Sequence, residues 1–229
     1  MPFSDDVRAR LDADAAQIIG KYPQPRSALL PLLHLVQSEE GHVSADGIEY
    51  CAGQLGLTET DVAGVVSFYT MYKHRPVGKY HVGVCTNAVC ALLGGNQLLA
   101  ELREHLGVGD DQATPDGRVS LEHIECNAAC EYAPVMMVNW EFFDNMTLAS
   151  ARQLVDDLRA GHTVTPTRGP GRLVTWREAS RILAGFNDDQ ATEGPAAGPA
   201  DLVGLRIAKE HGWTAPEPGR AGDRGKEPR

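Results

Sequence analysis

Four of the five cysteines form two close pairs along the chain. Cys85 and Cys90 have four residues between them, Cys126 and Cys130 have three, and 35 residues separate the two pairs. Folding can bring such pairs together, and four thiolates at one point make a metal site. Soft sulfur ligands limit the metal largely to zinc or to an iron–sulfur cluster. The spacing therefore predicts a four-thiolate metal centre.

The spacing within each pair favours a 2Fe–2S cluster over zinc. Structural zinc pairs often enclose two residues, and neither pair has that spacing; its absence also counts against a thioredoxin-type dithiol. A C-x4-C loop, in contrast, is a known way of wrapping a binuclear cluster. Two alternatives stay open at this point, namely a zinc site and four buried cysteines without a metal. The fifth cysteine, Cys51, is interpreted as a packed thiol and not as a further ligand.

The segments that lead to the cysteines have the pattern of strands. Residues 79–85 alternate polar and apolar side chains and end at Cys85, and residues 119–125 lead in the same way to Cys126. A third strand is predicted over residues 133–139, and the chain after it can return as a hairpin partner over residues 140–146.

Helices are predicted between and after these strands. Apolar residues at helical spacing follow Cys90 and end at Gly107, and a second amphipathic segment over residues 147–161 begins behind the N-cap Thr147. Strands and helices in this order predict an α/β fold. Both cysteine pairs then lie just past the carboxyl ends of strands, where open α/β sheets usually place their sites.

Three motifs in this region resemble those of a known family. They are GVCTNAVC at residues 83–90, ECNAAC at 125–130 and APVMMVN at 133–139. They are similar to the thioredoxin-like 2Fe–2S ferredoxin component of NADH:quinone oxidoreductase, which is respiratory complex I; in bacteria this component is the E subunit. The segment VVSFYTMY at 65–72 fits the same family, and the resemblance covers about residues 10–186. Related subunits also serve in NAD-linked hydrogenases and formate dehydrogenases.

The resemblance implies a fold, a cofactor and partners. It implies a thioredoxin-like domain in which Cys85, Cys90, Cys126 and Cys130 bind the 2Fe–2S cluster. It also implies that FMN and NADH are bound by an adjacent subunit, which exchanges electrons with this cluster, and that a large iron–sulfur subunit belongs to the same complex. Two positions depart from the family pattern, because Ala128 and Asp144 stand where glycine is more usual. Neither departure removes a candidate ligand.

Composition agrees with a subunit of this kind. The formal net charge of −10 argues against nucleic-acid binding, which needs a basic surface. No apolar run reaches the 18 or more residues of a membrane span, and no signal-peptide pattern is present, so we expect a cytoplasmic protein that meets the inner face of the cell membrane only through partners. Neither a G-x-G-x-x-G nor a P-loop pattern occurs, so we expect NADH and flavin to bind elsewhere.

The rest of the chain divides into three further regions. Residues 1–74 are predicted to form a helical region, with N-caps at Ser4 and Ser27 and a capping box at Thr58 and Asp61. The thioredoxin-like domain then spans residues 75–162.

A linker and a short helix occupy residues 163–189, and Thr175 and Glu178 form the capping box of that helix. Residues 190–229 form a tail in which 12 of 40 residues are Gly or Pro. The tail carries the apolar anchors Leu202, Leu205, Ile207 and Trp213, and it either orders against a partner or is disordered.

Three functions are therefore open on sequence grounds. The first is an electron-transfer subunit of an NADH-oxidising complex, whether complex I or an NAD-linked hydrogenase or formate dehydrogenase. The second is a zinc-stapled interaction module without a redox role, and the third is a freestanding ferredoxin. The helical region and the anchored tail favour the first, because a freestanding carrier needs neither.

Overall fold

The computed structural model describes residues 3–190, 193–194 and 197–214. The chain divides into two compact units, residues 1–195 and residues 196–229. The first unit holds the helical region, the sheet and all five cysteines. Within the described ranges, no helix combines the length and the apolar content that a membrane crossing requires.

The N-terminal region consists of four helices around one apolar core. Ser4 caps the first helix, and Thr58 and Asp61 form the predicted capping box of the fourth. The cap expected at Ser27 is wrong, because Pro25 begins a 3-10 turn, Pro25–Ala28, that contains this serine, and the second helix starts after it. The helices are α1 (Asp5–Ile19), α2 (Leu29–Glu40), α3 (Ala45–Leu55) and α4 (Glu59–Phe68).

The rest of the first unit is built on a mixed five-stranded sheet. The strand order is β2-β3-β1-β4-β5; β1 and β3 are parallel neighbours, and β4 and β5 form the predicted hairpin. The two-residue strand β2 pairs with β3 and was not predicted from the sequence. The strands are β1 (Tyr80–Cys85), β2 (Gln112–Ala113), β3 (Val119–Ile124), β4 (Met136–Val138) and β5 (Glu141–Phe143).

One face of the sheet packs on two amphipathic helices. The predicted helix after Cys90 is divided in two, because Gly94 has a φ of 110° and ends the first segment. Thr147 caps the last of these helices, as predicted, and Gly161 ends it. The helices are α5 (Ala88–Leu92), α6 (Gly95–Leu106) and α7 (Leu148–Ala160), and α6 and α7 share an apolar core with the strands.

A further helix, α8 (Trp176–Leu183), packs on α2 and joins the two halves of the first unit. It begins at the predicted capping box of Thr175 and Glu178. The indole Nε1 of the buried Trp176 donates to the carbonyl of Gly41, 2.8 Å away. The backbone N–H of the same residue donates to the carbonyl of Lys79, directly before β1, at 2.9 Å. One residue therefore contacts both the end of α2 and the start of the sheet.

A buried charged network connects the same two halves. Lys73 precedes the sheet and forms an ion pair with Glu122 of β3, while His81 Nε2 lies 2.8 Å from the same carboxylate oxygen. Burial lowers the pKa of His81. Burial alone would raise the pKa of Glu122, but the close imidazole of His81 and the charge of Lys73 outweigh it and lower that pKa to about 2. The carboxylate therefore stays charged at neutral pH.

The second unit contains one described helix, α9 (Val203–Glu210). The four predicted anchors, Leu202, Leu205, Ile207 and Trp213, fall in or beside this helix, and all four side chains are exposed in the chain on its own. Residues 191–192, 195–196 and 215–229 of the predicted tail lie outside the described residues.

Removing one member of the buried network should destabilise the first unit. Lys73→Met leaves the Glu122 carboxylate without its cation, which should lower the free energy of unfolding by about 3 kcal/mol. Lys73→Met/Glu122→Leu removes both charges and should recover most of that loss. Urea unfolding at pH 7 measures each variant.

The ion pair between Arg10 and Glu39 provides the control, because the Arg10 side chain is 59% exposed. Arg10→Gln should change the free energy of unfolding by less than about 1 kcal/mol. Equal losses for Lys73→Met and Arg10→Gln would contradict a structural role for the buried network.

Candidate metal centre

The parallel pairing of β1 and β3 brings the two cysteine pairs to one edge of the sheet. Cys85 is the last residue of β1 and is the register partner of Ile124, the last residue of β3. Cys126 follows two residues later. Because parallel strands end on the same side, the loops that carry both pairs leave the sheet together. Their apolar surroundings form a separate buried cluster with Val135 and Met137.

The first pair is buried. Cys85 is 2% exposed and Cys90 3% exposed, and the short helix α5 connects them. Gly95 allows this close packing, since a Cβ at that position would lie 2.4 Å from the carbonyl oxygen of Cys85 and 2.9 Å from that of Cys90. Any other residue there would push α6 away from the loop.

The second pair is exposed and already close. The Sγ atoms of Cys126 and Cys130 lie 3.9 Å apart. Two sulfurs bound at about 2.3 Å to one tetrahedral metal lie about 3.8 Å from each other. The loop between these cysteines therefore holds them at the separation that ligands of one metal atom require. The two pairs differ in exposure, which the spacing alone did not indicate.

Ala128, at the centre of this loop, has a φ of 54°. That left-handed conformation is costly for any residue with a Cβ, which gives a physical reason for glycine at this position. The conformation directs the backbone N–H of Ala128 at Cys126 Sγ, 3.4 Å away. This N–H is well placed to stabilise a thiolate.

A second donor to sulfur lies outside both loops. The backbone N–H of Val135, just before β4, hydrogen-bonds Cys90 and lowers the pKa of its thiol. Burial is the strongest cause, and together with the neighbouring thiols of Cys85 and Cys130 it raises that pKa to about 11. No sequence pattern indicates the Val135 donor, because it depends on how the third predicted strand returns beside the first.

The exposed Cys130 also has a raised pKa. Its first cause is the hydrogen bond with Cys126, followed by partial desolvation and by the nearby charges of Cys126, Cys85 and Glu131. Thiols that hold their protons at neutral pH become ligands only when a metal displaces those protons.

The two cysteine loops are joined by a hydrogen bond, in which the side-chain amide of Asn87 donates to the carboxylate of Glu125 at 2.6 Å.

The four cysteines are arranged as two pairs rather than as one compact group. Across the part of the chain that the structure describes, no three His, Cys, Asp or Glu side chains are grouped so that they could hold a single metal ion. The loops at the ends of β1 and β3 supply four sulfurs, and backbone N–H groups are directed at two of them. This donor set fits a cluster that is bound from two sides.

Cys51 lies apart from this centre. It is fully buried in the core of the N-terminal helices. Burial, and then the charge of Glu40, raises the pKa of its thiol to about 12. This environment is that of a packed thiol.

Comparison with known proteins identifies the family. The sequence model of the family described as "Thioredoxin-like [2Fe-2S] ferredoxin" matches residues 15–159. The chain belongs to this family. The match includes all four candidate ligands and confirms the resemblance drawn from the cysteine motifs, and the family supports a 2Fe–2S cluster as the cofactor.

Similar relatives carry a more specific name. Proteins from Mycobacterium bovis and Mycobacterium tuberculosis, each named as the E subunit of NADH-quinone oxidoreductase, are 56% identical over 215 residues, which is 93% of this chain and 85% of each relative. A Thermus thermophilus protein called NADH-quinone oxidoreductase subunit 2 is 40% identical over 175 residues, which is 75% of this chain and 94% of that protein.

A solved structure supports the fold. The structure of an NAD+-reducing [NiFe]-hydrogenase in the air-oxidized state matches this thioredoxin-like ferredoxin with a TM-score of 0.52 at 21% identity. The match covers 58% of this chain and 23% of the hydrogenase chain, so it concerns the fold alone.

Replacing Ala128 by glycine should stabilise the second loop. Glycine adopts the observed φ of 54° without the Cβ penalty, so Ala128→Gly should raise the free energy of unfolding by roughly 0.5–1 kcal/mol. Urea unfolding of the metal-free protein measures this change.

Ala129→Gly is the matched control, because Ala129 is buried and has a φ of −118°. This variant removes packing without relieving strain, and it should lower stability. A destabilised Ala128→Gly would show that the left-handed conformation carries no cost here.

Proposed function

We propose that this chain is the electron-transfer subunit of an NADH:quinone oxidoreductase, binding a 2Fe–2S cluster through Cys85, Cys90, Cys126 and Cys130. The carrying observation is the placement of two cysteine pairs just beyond or at the ends of adjacent parallel strands, with the Sγ atoms of Cys126 and Cys130 at ligand separation. The names of the mycobacterial and Thermus relatives support the choice of complex.

The cluster supplies reversible one-electron chemistry when bound. The chain's own residues hold it, limit its contact with water and set its charge environment. Cys85 and Cys90 form the buried side of the site, and Val135 and Ala128 donate hydrogen bonds to sulfur. The acidic chain, with Glu125 and Glu131 beside the second pair, disfavours an added electron and favours a low reduction potential.

The electron is exchanged with a flavin on a neighbouring subunit, which also binds NADH. Such exchange requires the cluster edge to be near the surface, and the exposure of Cys126 and Cys130 meets that requirement. Beside Cys90, the side chains of Leu92 and Leu93 are 85% and 58% exposed, and apolar residues in such positions favour protein contact. The large iron–sulfur subunit is the second partner in this proposal, and the complex meets the inner face of the membrane through other subunits.

A second candidate function is the equivalent subunit of an NAD-linked hydrogenase. The fold match to the NAD+-reducing hydrogenase favours it, but the more similar relatives carry the complex I name. Co-purification separates the two, since a complex I subunit should be isolated with quinone-reducing activity and a hydrogenase subunit with nickel.

The purified native complex should carry two irons and two sulfides on these four cysteines. In Cys126→Ser the cluster should be lost or severely perturbed, because a hydroxyl is a poor iron ligand beside thiolates. Iron and sulfide analysis, visible absorption and the EPR spectrum after reduction measure the result.

Cys51→Ser is the control, because Cys51 is buried away from the four candidate ligands. It should keep the cluster at a modest cost in packing. Stoichiometric zinc without iron in anaerobically purified protein would overturn the cofactor, and loss of the cluster in Cys51→Ser alone would overturn the ligand assignment.

The tail should contribute to assembly rather than to the cluster. Deleting residues 196–229 removes the second unit and leaves the first unit complete. We expect an unchanged cluster spectrum and weaker assembly with the neighbouring subunits, because the exposed apolar residues of α9 have no core of their own. Pull-down of the flavin-bearing subunit measures assembly.

Point variants within α9 refine this test. Leu205→Asp should weaken assembly, because Leu205 is 55% exposed and apolar. Arg206→Gln, at the next position with a 65% exposed side chain, should leave assembly unchanged. Normal assembly of the truncated chain would mean that the tail is a solvated appendage.

A further inference from the structure

The segment after α7, predicted as part of a linker, lies across the β4–β5 hairpin. The backbone N–H of Thr167 donates to the carbonyl of Phe142 at 2.9 Å. The backbone N–H of Asp144 donates to the hydroxyl of Thr167 at 3.1 Å. These two bonds attach the segment to the end of the hairpin. That end lies at the same edge of the sheet as the second cysteine pair.

Arg168, the next residue, is held by Asp144. Its Nε lies 3.0 Å from Asp144 Oδ2 and its Nη2 lies 3.4 Å from Asp144 Oδ1. The two side chains are only 14% and 8% exposed. A shielded two-point contact fixes the plane of the guanidinium, which a single contact would leave free to rotate.

The guanidinium packs on two aromatic rings of the cysteine site. Its carbon lies 3.8 Å from the ring centre of Phe142 and 5.2 Å from that of Tyr132. Both rings pack against the buried cluster that contains Cys85 and Cys90. Stacking of this kind is favourable when the cation is shielded from water, as Arg168 is.

Tyr132 links this contact to a candidate ligand. It ends the 3-10 turn Cys130–Tyr132, its N–H donates to the carbonyl of Ala129 at 3.0 Å, and its carbonyl accepts from the N–H of Asn145 at 2.7 Å. A residue fixed through its ring and through both backbone groups cannot shift without moving the turn. Cys130 is the first residue of that turn and is exposed, so its position depends on the turn more than on surrounding packing.

We propose that Arg168, clamped by Asp144, is a positioning residue for the thiolate of Cys130. It acts through the ring of Tyr132 and the turn that this residue ends. This inference rests on the proposed 2Fe–2S site. Because the charges of Arg168 and Asp144 compensate each other, the effect of the pair on the cluster comes from geometry and not from net charge.

The test uses the full-length chain purified anaerobically with its cluster. Arg168→Gln removes a positive charge and Asp144→Asn removes a negative one, yet each breaks the same two-point contact. Both variants should release iron to a chelator about tenfold faster than the natural sequence. Both should alter the EPR spectrum of the reduced cluster in the same direction. Arg168→Lys keeps the charge without the planar contact and should be intermediate.

Arg172→Gln is the matched control. Arg172 lies in the same segment, is 54% exposed and forms a longer ion pair with Asp188 at 3.7 Å. It loses the same charge without touching the rings, and it should match the natural sequence in both measurements. Circular dichroism checks that each variant is folded. If Arg168→Gln does not fold, Arg168→Lys and Asp144→Asn are compared with Arg172→Gln instead.

Two results would overturn the proposal. One is equal iron release from Arg168→Gln and Arg172→Gln. The other is opposite spectral shifts in Arg168→Gln and Asp144→Asn with unchanged release, which would indicate a charge effect alone.

Deuterium uptake of the metal-free chain separates this inference from the proposed function. Over residues 129–132, uptake should rise in Arg168→Gln and not in Arg172→Gln, whether or not the protein binds iron. Absence of iron from the natural chain would overturn the proposed function, while equal uptake in the two variants would overturn only the positioning role.

Discussion

The parallel pairing of β1 with β3 is the constraint on which the site depends. It connects residues that are 39 positions apart, Cys85 and Ile124, in direct register. A slip of one residue would turn every side chain of β3 to the opposite face of the sheet and would move the second loop away from the first. The apolar face carried by Val82, Val84 and Leu121 packs on α6 and α7 and holds that register. Burial of one sheet face thus determines which sulfurs can meet at the sheet edge.

The two sides of the site are held by different means. The buried pair is held by close backbone packing, in which Gly95 contacts the carbonyls of Cys85 and Cys90. The exposed pair depends on the strained Ala128 and on the turn that ends at Tyr132. A rigid inner side and a locally braced outer side suit a cofactor that must be kept from water and still be reached by a partner.

Sequence reasoning found the features that depend on neighbouring residues. The caps at Ser4, Thr58, Thr147 and Thr175 were predictable because a cap and its N–H donor lie within a few positions. The strands that end at the cysteines followed from alternation along one segment. The failure at Ser27 also has a local cause, because Pro25 opens a helical turn earlier than the apolar pattern suggests.

Features that depend on distant residues were not predictable. The break at Gly94, between α5 and α6, places Gly95 against Cys85, ten residues earlier, and β2 exists only because β3 is present to pair with it. Three contacts join segments that are far apart in the sequence, so the hydrophobic pattern of one segment cannot predict them. They are the Val135 donor to Cys90, the Lys73–Glu122 ion pair and the contact of Arg168 with Asp144. The cysteine types and spacing identified the candidate ligands, but only the fold distinguishes the buried pair from the exposed one.

The packing of α8 on α2 has a consequence for the order of events during protein synthesis. The core of the N-terminal helices includes Ala184, which follows α8. Gln37 of α2 donates a hydrogen bond to Ser180 at 3.3 Å, and Trp176 donates one to the carbonyl of Gly41. A ribosome makes these partners more than 130 residues after it has made α2. The first helices to appear therefore complete their core last, after both cysteine loops have already left the ribosome. During that interval the four thiols are available while the core of the N-terminal helices is still incomplete.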